Sequence, residues 1–237
     1  MSRSILIIGA ERGLGLGLAR IFFNSGWNVT ATARAGDDCA GLVAVGSRDP
    51  ARLSVAYIDV TRAEQIPEFK TRLGDSAFDI VFLVAGIYGP LHNSVIEASD
   101  DELLHIMLTN CFGPARLARH LLDRLICPGG TLAFMSSHRA SIEMNVEPKL
   151  PLELYRASKV ALNMLARGIY ADHAAEGVTV LSLHPGWVAT AMGTLDGTVE
   201  AEIEVEESVN GLYRVLDQHA GSGRNLYLDW TGATLPW

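Results

Sequence analysis

Seven short runs of β-branched and aliphatic residues punctuate the chain, at 4–9, 28–33, 53–59, 79–86, 130–137, 178–186 and 224–229. Between most of them the apolar residues change period. "GLGLARIFFNSG", "TRAEQIPEFKTRL", "SDDELLHIMLTN" continuing into "RLARHLLDRL", and "ESVNGLYRVLDQH" all follow helical spacing. Strand and helix in alternation imply right-handed crossovers, and these build a parallel sheet covered on both faces. The strand runs are nearly continuous in apolar character, as strands buried on both sides should be. The expected fold is α/β, a doubly wound parallel sheet of seven strands with helices on both faces.

At 237 residues, 49% apolar and 19% charged, the chain can bury one sizeable core, and one domain spanning 1–237 is expected. Stretches 35–52, 138–152 and 187–206 lack a regular period and read as surface loops or a lid, where function tends to concentrate. A net charge of -8 and a pI near 5.3 argue against general affinity for nucleic acid or an anionic membrane. Any anionic ligand must therefore meet a local basic site. Cys39, Cys111 and Cys127 lack metal-ligand spacing and read as reduced thiols in a cytoplasmic protein; no metal site is expected. The apolar run near the N-terminus is too short for a signal segment or a membrane span and leads straight into a glycine loop.

That loop, "IIGAERGLGLGLAR", spaces Gly9, Gly13 and Gly15 as GxxxGxG where the first strand gives way to a helix. Glycines there let the backbone turn tightly and approach a pyrophosphate, whose charge suits a helix N-terminus. An ordinary glycine-rich turn is the other reading of the spacing, and its place after strand one of an alternating chain favours a dinucleotide. The second strand ends "TATAR", so Ala33 stands where an NAD-binding chain offers a carboxylate to the ribose, and Arg34 follows. Arg34, with Arg12 in the loop, would meet a 2′-phosphate, although both could equally be solvated surface residues. NADP(H) is preferred, with NAD(H) possible. Asp59 either accepts from an adenine amino group or caps the next helix.

"YRASK" sets Tyr155 and Lys159 four apart in "LELYRASKVALNMLARGIYA", one turn apart on one helix face. A nearby ammonium favours a phenolate, which would bring the phenol into range for acid/base chemistry. A buried ring beside a snorkelling lysine is the bland alternative. Ala157 and Ser158 between them carry no evident role. "MSSHRAS" puts Ser136 and Ser137 at the carboxyl edge of the sheet, where either hydroxyl could hold a substrate carbonyl. Pro114 supplies no N–H, so the carbonyl of Asn110 is expected to lose its helical partner and to take a water.

Glycine loop, Asn110, Ser137, Tyr155 and Lys159 in this order resemble the short-chain dehydrogenase/reductase family over essentially the whole chain. Phrases such as "YRASKVALN" and "HPGWV" are most similar to its C-factor-like, carbonyl-reductase-like branch. The resemblance implies a Rossmann-type fold and a catalytic set of Asn110, Ser137, Tyr155 and Lys159. It implies cofactor contacts from Gly9, Arg12, Gly13, Leu14, Gly15, Arg34, Asp59, Val60, Ala85, Gly86, Tyr155, Lys159, Pro185, Gly186, Val188 and Thr190. It also implies a small carbonyl or alcohol substrate and a homodimer or homotetramer. Hydride would pass between nicotinamide and a carbonyl carbon, with Tyr155 exchanging the proton, Ser137 orienting the oxygen and Lys159 lowering the Tyr155 pKa. Ile8 replaces the family's usual threonine, removing a hydrogen bond that braces the glycine loop, and "LVAG" at 83–86 replaces polar residues. The 138–154 segment between Ser137 and Tyr155 is longer than usual in the family, so it and 187–206 are expected to form substrate loops. The alternative class is a non-catalytic dinucleotide-binding or signalling protein, which would have no need of Tyr155 and Lys159.

Overall fold

The computed structural model describes residues 3–146 and 152–237. Seven strands form one parallel sheet: β1 (Ser4–Ile8), β2 (Asn28–Ala33), β3 (Leu53–Tyr57), β4 (Ile80–Leu83), β5 (Thr131–Met135), β6 (Thr179–His184) and β7 (Asn225–Asp229). Their order is β3-β2-β1-β4-β5-β6-β7. The chain winds outward from β1 through β2 to β3, then returns to β4 on the other side of β1. This reversal opens a crevice at the carboxyl ends of β1 and β4. Each expected strand is present: β2 has the expected bounds, and the others are shorter by one to four residues, mostly where the chain leaves the ladder for the loops at the crevice.

The helices are α1 (Gly13–Asn24), α2 (Ala40–Gly46), α3 (Ile66–Arg72), α4 (Asp100–Met107), α5 (Gly113–His120), α6 (Glu153–His173) and α7 (Val205–His219). Alternate residues of a strand face opposite sides, so Ile5 and Ile7 join one core while Leu6 and Ile8 join the other. The first core meets Leu18 and Phe22 of α1 and Leu212 and Leu216 of α7. The second meets Phe69 of α3, Leu117 of α5 and Leu162 and Ile169 of α6. Among the described residues no helix is long and apolar enough to cross a membrane.

Two expectations about irregular segments need correction. The 35–52 stretch contains α2, whose Leu42 is fully buried in the first core; burial of that one side chain outweighs a run rich in Gly, Asp and Ala. The helix carrying Asn110 is interrupted before Pro114 rather than kinked by it. After α4, residues 108–112 make one wide turn in which the N–H of Gly113 reaches back five residues to the carbonyl of Leu108. Pro114 then lies in the first turn of α5, where its missing N–H costs nothing. Gly113 is needed there, since a Cβ would sit 2.4 Å from the carbonyl oxygen of Val60. Of the expected 138–154 loop, residues 138–140 form a short helical turn and 147–151 lie outside the described residues.

The glycine loop is braced after all, from a neighbouring strand. Thr32 on β2 accepts the N–H of Gly9 on its hydroxyl at 3.0 Å, and its carbonyl accepts the N–H of Ala10 at 2.7 Å. It supplies the bond that Ile8 cannot. Thr32→Val keeps the shape and strands the Gly9 N–H, so it should cost about 1–2 kcal/mol in urea unfolding, with Thr32→Ser close to the parent protein. Equal stability of the parent protein and Thr32→Val would remove this brace from the account.

Candidate active site

Helix α6 starts where Asn93 holds it. Asn93 is fully buried with a φ of +48°, a left-handed conformation that asparagine tolerates better than most residues. Its side-chain oxygen accepts the N–H of Tyr155 at 2.9 Å, while its amide donates to the carbonyl of Tyr88 at 2.9 Å. The helix is thus anchored at the residue that carries the phenol. Tyr155 stacks on Tyr88, with ring centroids 6.1 Å apart, and one turn later the Lys159 nitrogen lies 5.7 Å from the Tyr155 ring centre. Lys159 is only 3% exposed and donates to the carbonyl of Met135 at 2.9 Å, which ties α6 to the end of β5.

Asn110, turned inward by the wide turn, clamps the segment after β4. Its Oδ1 accepts the Ile87 N–H and its Nδ2 donates to the Ile87 carbonyl, both at 2.8 Å. The remaining amide hydrogen goes to the Ser158 hydroxyl at 3.0 Å, which itself donates to the carbonyl of Tyr155 at 2.8 Å. Ser158 therefore has a role that its place between Tyr155 and Lys159 did not disclose: it locks α6 to Asn110. Gly86 completes the junction, since a Cβ there would stand 3.2 Å from the Lys159 nitrogen and 3.3 Å from Asn110 Oδ1.

The two serines make different contacts. Ser136 donates to Asn163 Oδ1 at 2.7 Å, in a buried contact with α6. Ser137 is the serine whose side chain acts on the Tyr155 phenol, favouring the phenolate, and its hydroxyl accepts the N–H of Arg139 at 3.1 Å. Burial pushes the Tyr155 pKa up to about 12, and Ser137 offsets only part of that rise. Burial likewise pushes Lys159 down to about 8. This corrects the expected tuning: desolvation dominates both groups, and the partner that favours the Tyr155 phenolate is Ser137.

A cleft of about 300 Å³ joins these groups to the glycine loop. Gly9, Arg12, Gly13, Leu14, Gly15, Arg34, Asp59, Val60, Ala85, Gly86, Pro185 and Thr190 line it together with Tyr155 and Lys159. Ser136 lines it as well, whereas Asn110, Ser137, Gly186 and Val188 are set back from it. Gly186 has a φ of +88° and packs under Ile203 and Trp230, and Val188 is buried and bridges to Ile203. His105, Thr109 and Met192 also line the cleft, and no spacing signal marked them in the sequence. Arg34 is held by Asp37 at 3.0 Å and Arg12 by Glu11 at 3.6 Å, so the two arginines flank the cleft as ion pairs rather than as bare cations. Asp59 spends one carboxylate oxygen on the N–H and hydroxyl of Thr61, at 2.9 and 2.7 Å, closing a local turn rather than capping a helix.

The comparisons with known proteins agree with this geometry. A family model described as short chain dehydrogenase matches residues 3–199. The C-signal of Myxococcus xanthus is 31% identical over 176 residues, which is 71% of this chain and 98% of that protein. A Burkholderia multivorans protein crystallised with bound NADP superposes with a TM-score of 0.93 at 36% identity, covering 100% of both chains. A carbonyl reductase from Pseudomonas aeruginosa in complex with NADP superposes at 0.88 with 37% identity, again covering 100% of both chains.

Beside Ser137, His138 Nδ1 and His184 Nε2 meet at 2.8 Å, one donating and the other accepting. Burial holds both rings well below the ordinary histidine pKa, and the Arg139 guanidinium pushes the same way, with Arg156 adding to it at His138. Both are neutral at pH 7. In the unfolded chain they take protons below about pH 6.5, while the folded chain resists, so stability is present above that pH and is lost as the pH falls. The thermal midpoint should drop between pH 7 and pH 5, and less so for His138→Gln, which removes one titrating ring and can still hydrogen-bond His184. Superimposable midpoint–pH curves for the two proteins would contradict this.

Proposed function

The chain belongs to the short-chain dehydrogenase family, and from that premise we propose that it is an NADP-dependent oxidoreductase interconverting a carbonyl compound and an alcohol. The observation that carries this reading is that Tyr155 and Lys159 line one cleft with the glycine loop, with Ser137 acting on the phenol.

The loop fits a dinucleotide. Gly9 and Gly13 have φ of +86° and +52°, and a Cβ at Gly15 would lie 2.0 Å from the carbonyl oxygen of Gly9, so only bare backbone fits. Helix α1 begins without a side-chain cap at Arg12, which leaves its first N–H groups for a pyrophosphate. Arg12 and Arg34 would face the 2′-phosphate, which would compete with Glu11 and Asp37 for them. Similarity to two proteins crystallised with NADP supports the phosphate-bearing form.

When bound, NADP(H) supplies or accepts the hydride. Tyr155, held protonated at neutral pH, donates its proton to the substrate oxygen in the reductive direction. Ser137 holds that oxygen against the phenol. Lys159 holds the cofactor ribose and, titrating near 8, replenishes the Tyr155 proton. Asn110 positions Lys159 through Ser158 and Gly86, and segments 138–146 and 187–206 border the substrate. Leu104, Phe112 and Met164 leave exposed apolar side chains on the α4–α6 side, through which a homodimer or homotetramer would form. The relationship to the C-signal favours a second reading, a signalling protein that binds a dinucleotide without turnover.

Turnover separates the two readings. The parent protein should consume NADPH with an aldehyde or ketone, and Tyr155→Phe should lower kcat by roughly 100- to 10,000-fold while NADPH binding survives. Undiminished turnover in Tyr155→Phe would remove the phenol from the mechanism. Fluorescence titration should give tighter binding of NADPH than of NADH, with Arg34→Ala narrowing the gap by roughly tenfold. Equal affinities in the parent protein would refute the phosphate site.

A further inference from the structure

Ser137 and the loop that follows it are held from behind by the far edge of the sheet. Tyr227, on β7, is 1% exposed, and its hydroxyl donates to the carbonyl of Ser137 and lies against the side chains of Ser136 and Asn163. A phenol this deep must hydrogen-bond inside the protein, so its place and that of the Ser137 carbonyl are set together. After β7 the chain doubles back: Asp229 donates to Ala233 and Leu235 to Tyr227, each N–H to carbonyl at 2.9 Å. This return lays the Trp237 ring on Tyr227, with centroids 5.0 Å apart. The main-chain oxygen of Trp237 then accepts the N–H of Ile142 at 3.2 Å and the hydroxyl of Ser141 at 3.4 Å. Ile142 itself is 75% exposed, so packing of its side chain does not hold the loop there.

We infer that Tyr227 and Trp237 are positioning residues. Tyr227 fixes Ser137 beside Tyr155, and Trp237 pins Ser141 and Ile142, in the run that follows Ser137, and so sets which carbonyl substrates fit. Ser137 is extended, with φ -154° and ψ 148°, and its two outward bonds run to Arg139 N–H from the hydroxyl and to Ala140 N–H from the carbonyl. Without Tyr227 that carbonyl keeps the Ala140 N–H alone, which loosens the backbone that aims the Ser137 side chain at the phenol. The inference rests on the reading of Ser137 and Tyr155 as the reacting pair.

The two residues predict opposite kinetic splits, with one carbonyl substrate held fixed. Tyr227→Phe keeps the ring and loses the hydroxyl, so kcat should fall by roughly ten- to a hundredfold with KM and NADPH affinity nearly unchanged. Trp237→Ala should raise KM by roughly tenfold and leave kcat within about twofold, with Trp237→Phe restoring KM. Amide hydrogen exchange reads the same contacts without any turnover. Tyr227→Phe should speed exchange at Arg139 and Ala140, and Trp237→Ala at Ile142. Parent-like kcat and exchange in Tyr227→Phe would overturn the first role. Parent-like KM and exchange in Trp237→Ala would overturn the second. If the parent protein turns over no carbonyl, the oxidoreductase reading fails alone, and exchange still decides whether these contacts hold the segment.

Discussion

The amide of Asn110 is the joint on which the site is built. It pairs with both main-chain groups of Ile87 as a neighbouring strand would, and spends its last hydrogen on Ser158. One side chain thereby connects the segment after β4, the wide turn at 108–112 and helix α6. An apolar residue there would leave the Ile87 N–H and carbonyl without those partners and free α6 to slide against the sheet. Tyr155 and Lys159 ride on that helix, so their distance from β5 and from the glycine loop follows from the same joint. Gly86 lets the three elements approach, since any side chain there would press on both Lys159 and Asn110.

The electrostatics follow from this packing. Drawing α6 tightly onto the sheet desolvates Tyr155 and Lys159, and both respond by favouring their neutral forms. The ammonium is compensated by the Met135 carbonyl, and the phenol by Ser137. A chain of net charge -8 thus keeps a small region where N–H groups, a lysine and two ion-paired arginines line one cleft. That contrast makes the cleft the place for an anionic ligand on an otherwise repelling surface.

The sheet and most helices were legible in the sequence because their signals are local: continuous apolar runs, helical periods, and glycines at a strand end. The pairing of Tyr155 with Lys159 was legible for a similar reason, as they are one helical turn apart. What escaped was set by partners far along the chain. Thr32 braces the glycine loop from the next strand, and Asn93 caps α6 from sixty residues upstream, Tyr155 N–H to its side chain. Ser158 looked idle because its partner is Asn110. The choice between Ser136 and Ser137 depends on which one turns toward Asn163, and Gly186 serves packing under Trp230 rather than the cleft wall. The tuning of Tyr155 is not legible in spacing, which shows the proximity of a charge but not burial.

Transfer of hydrogen itself tests the central claim most directly. NADPH carrying deuterium at the nicotinamide carbon, incubated with the parent protein and a panel of aldehydes and ketones, should deliver the label to the carbinol carbon of the alcohol formed, as mass spectrometry would read. Tyr155→Phe should bind the same nucleotide and leave the label on it. Label retained on the nucleotide by the parent protein across the whole panel, despite measured NADPH binding, would contradict the account and leave a chain that holds a dinucleotide without using it.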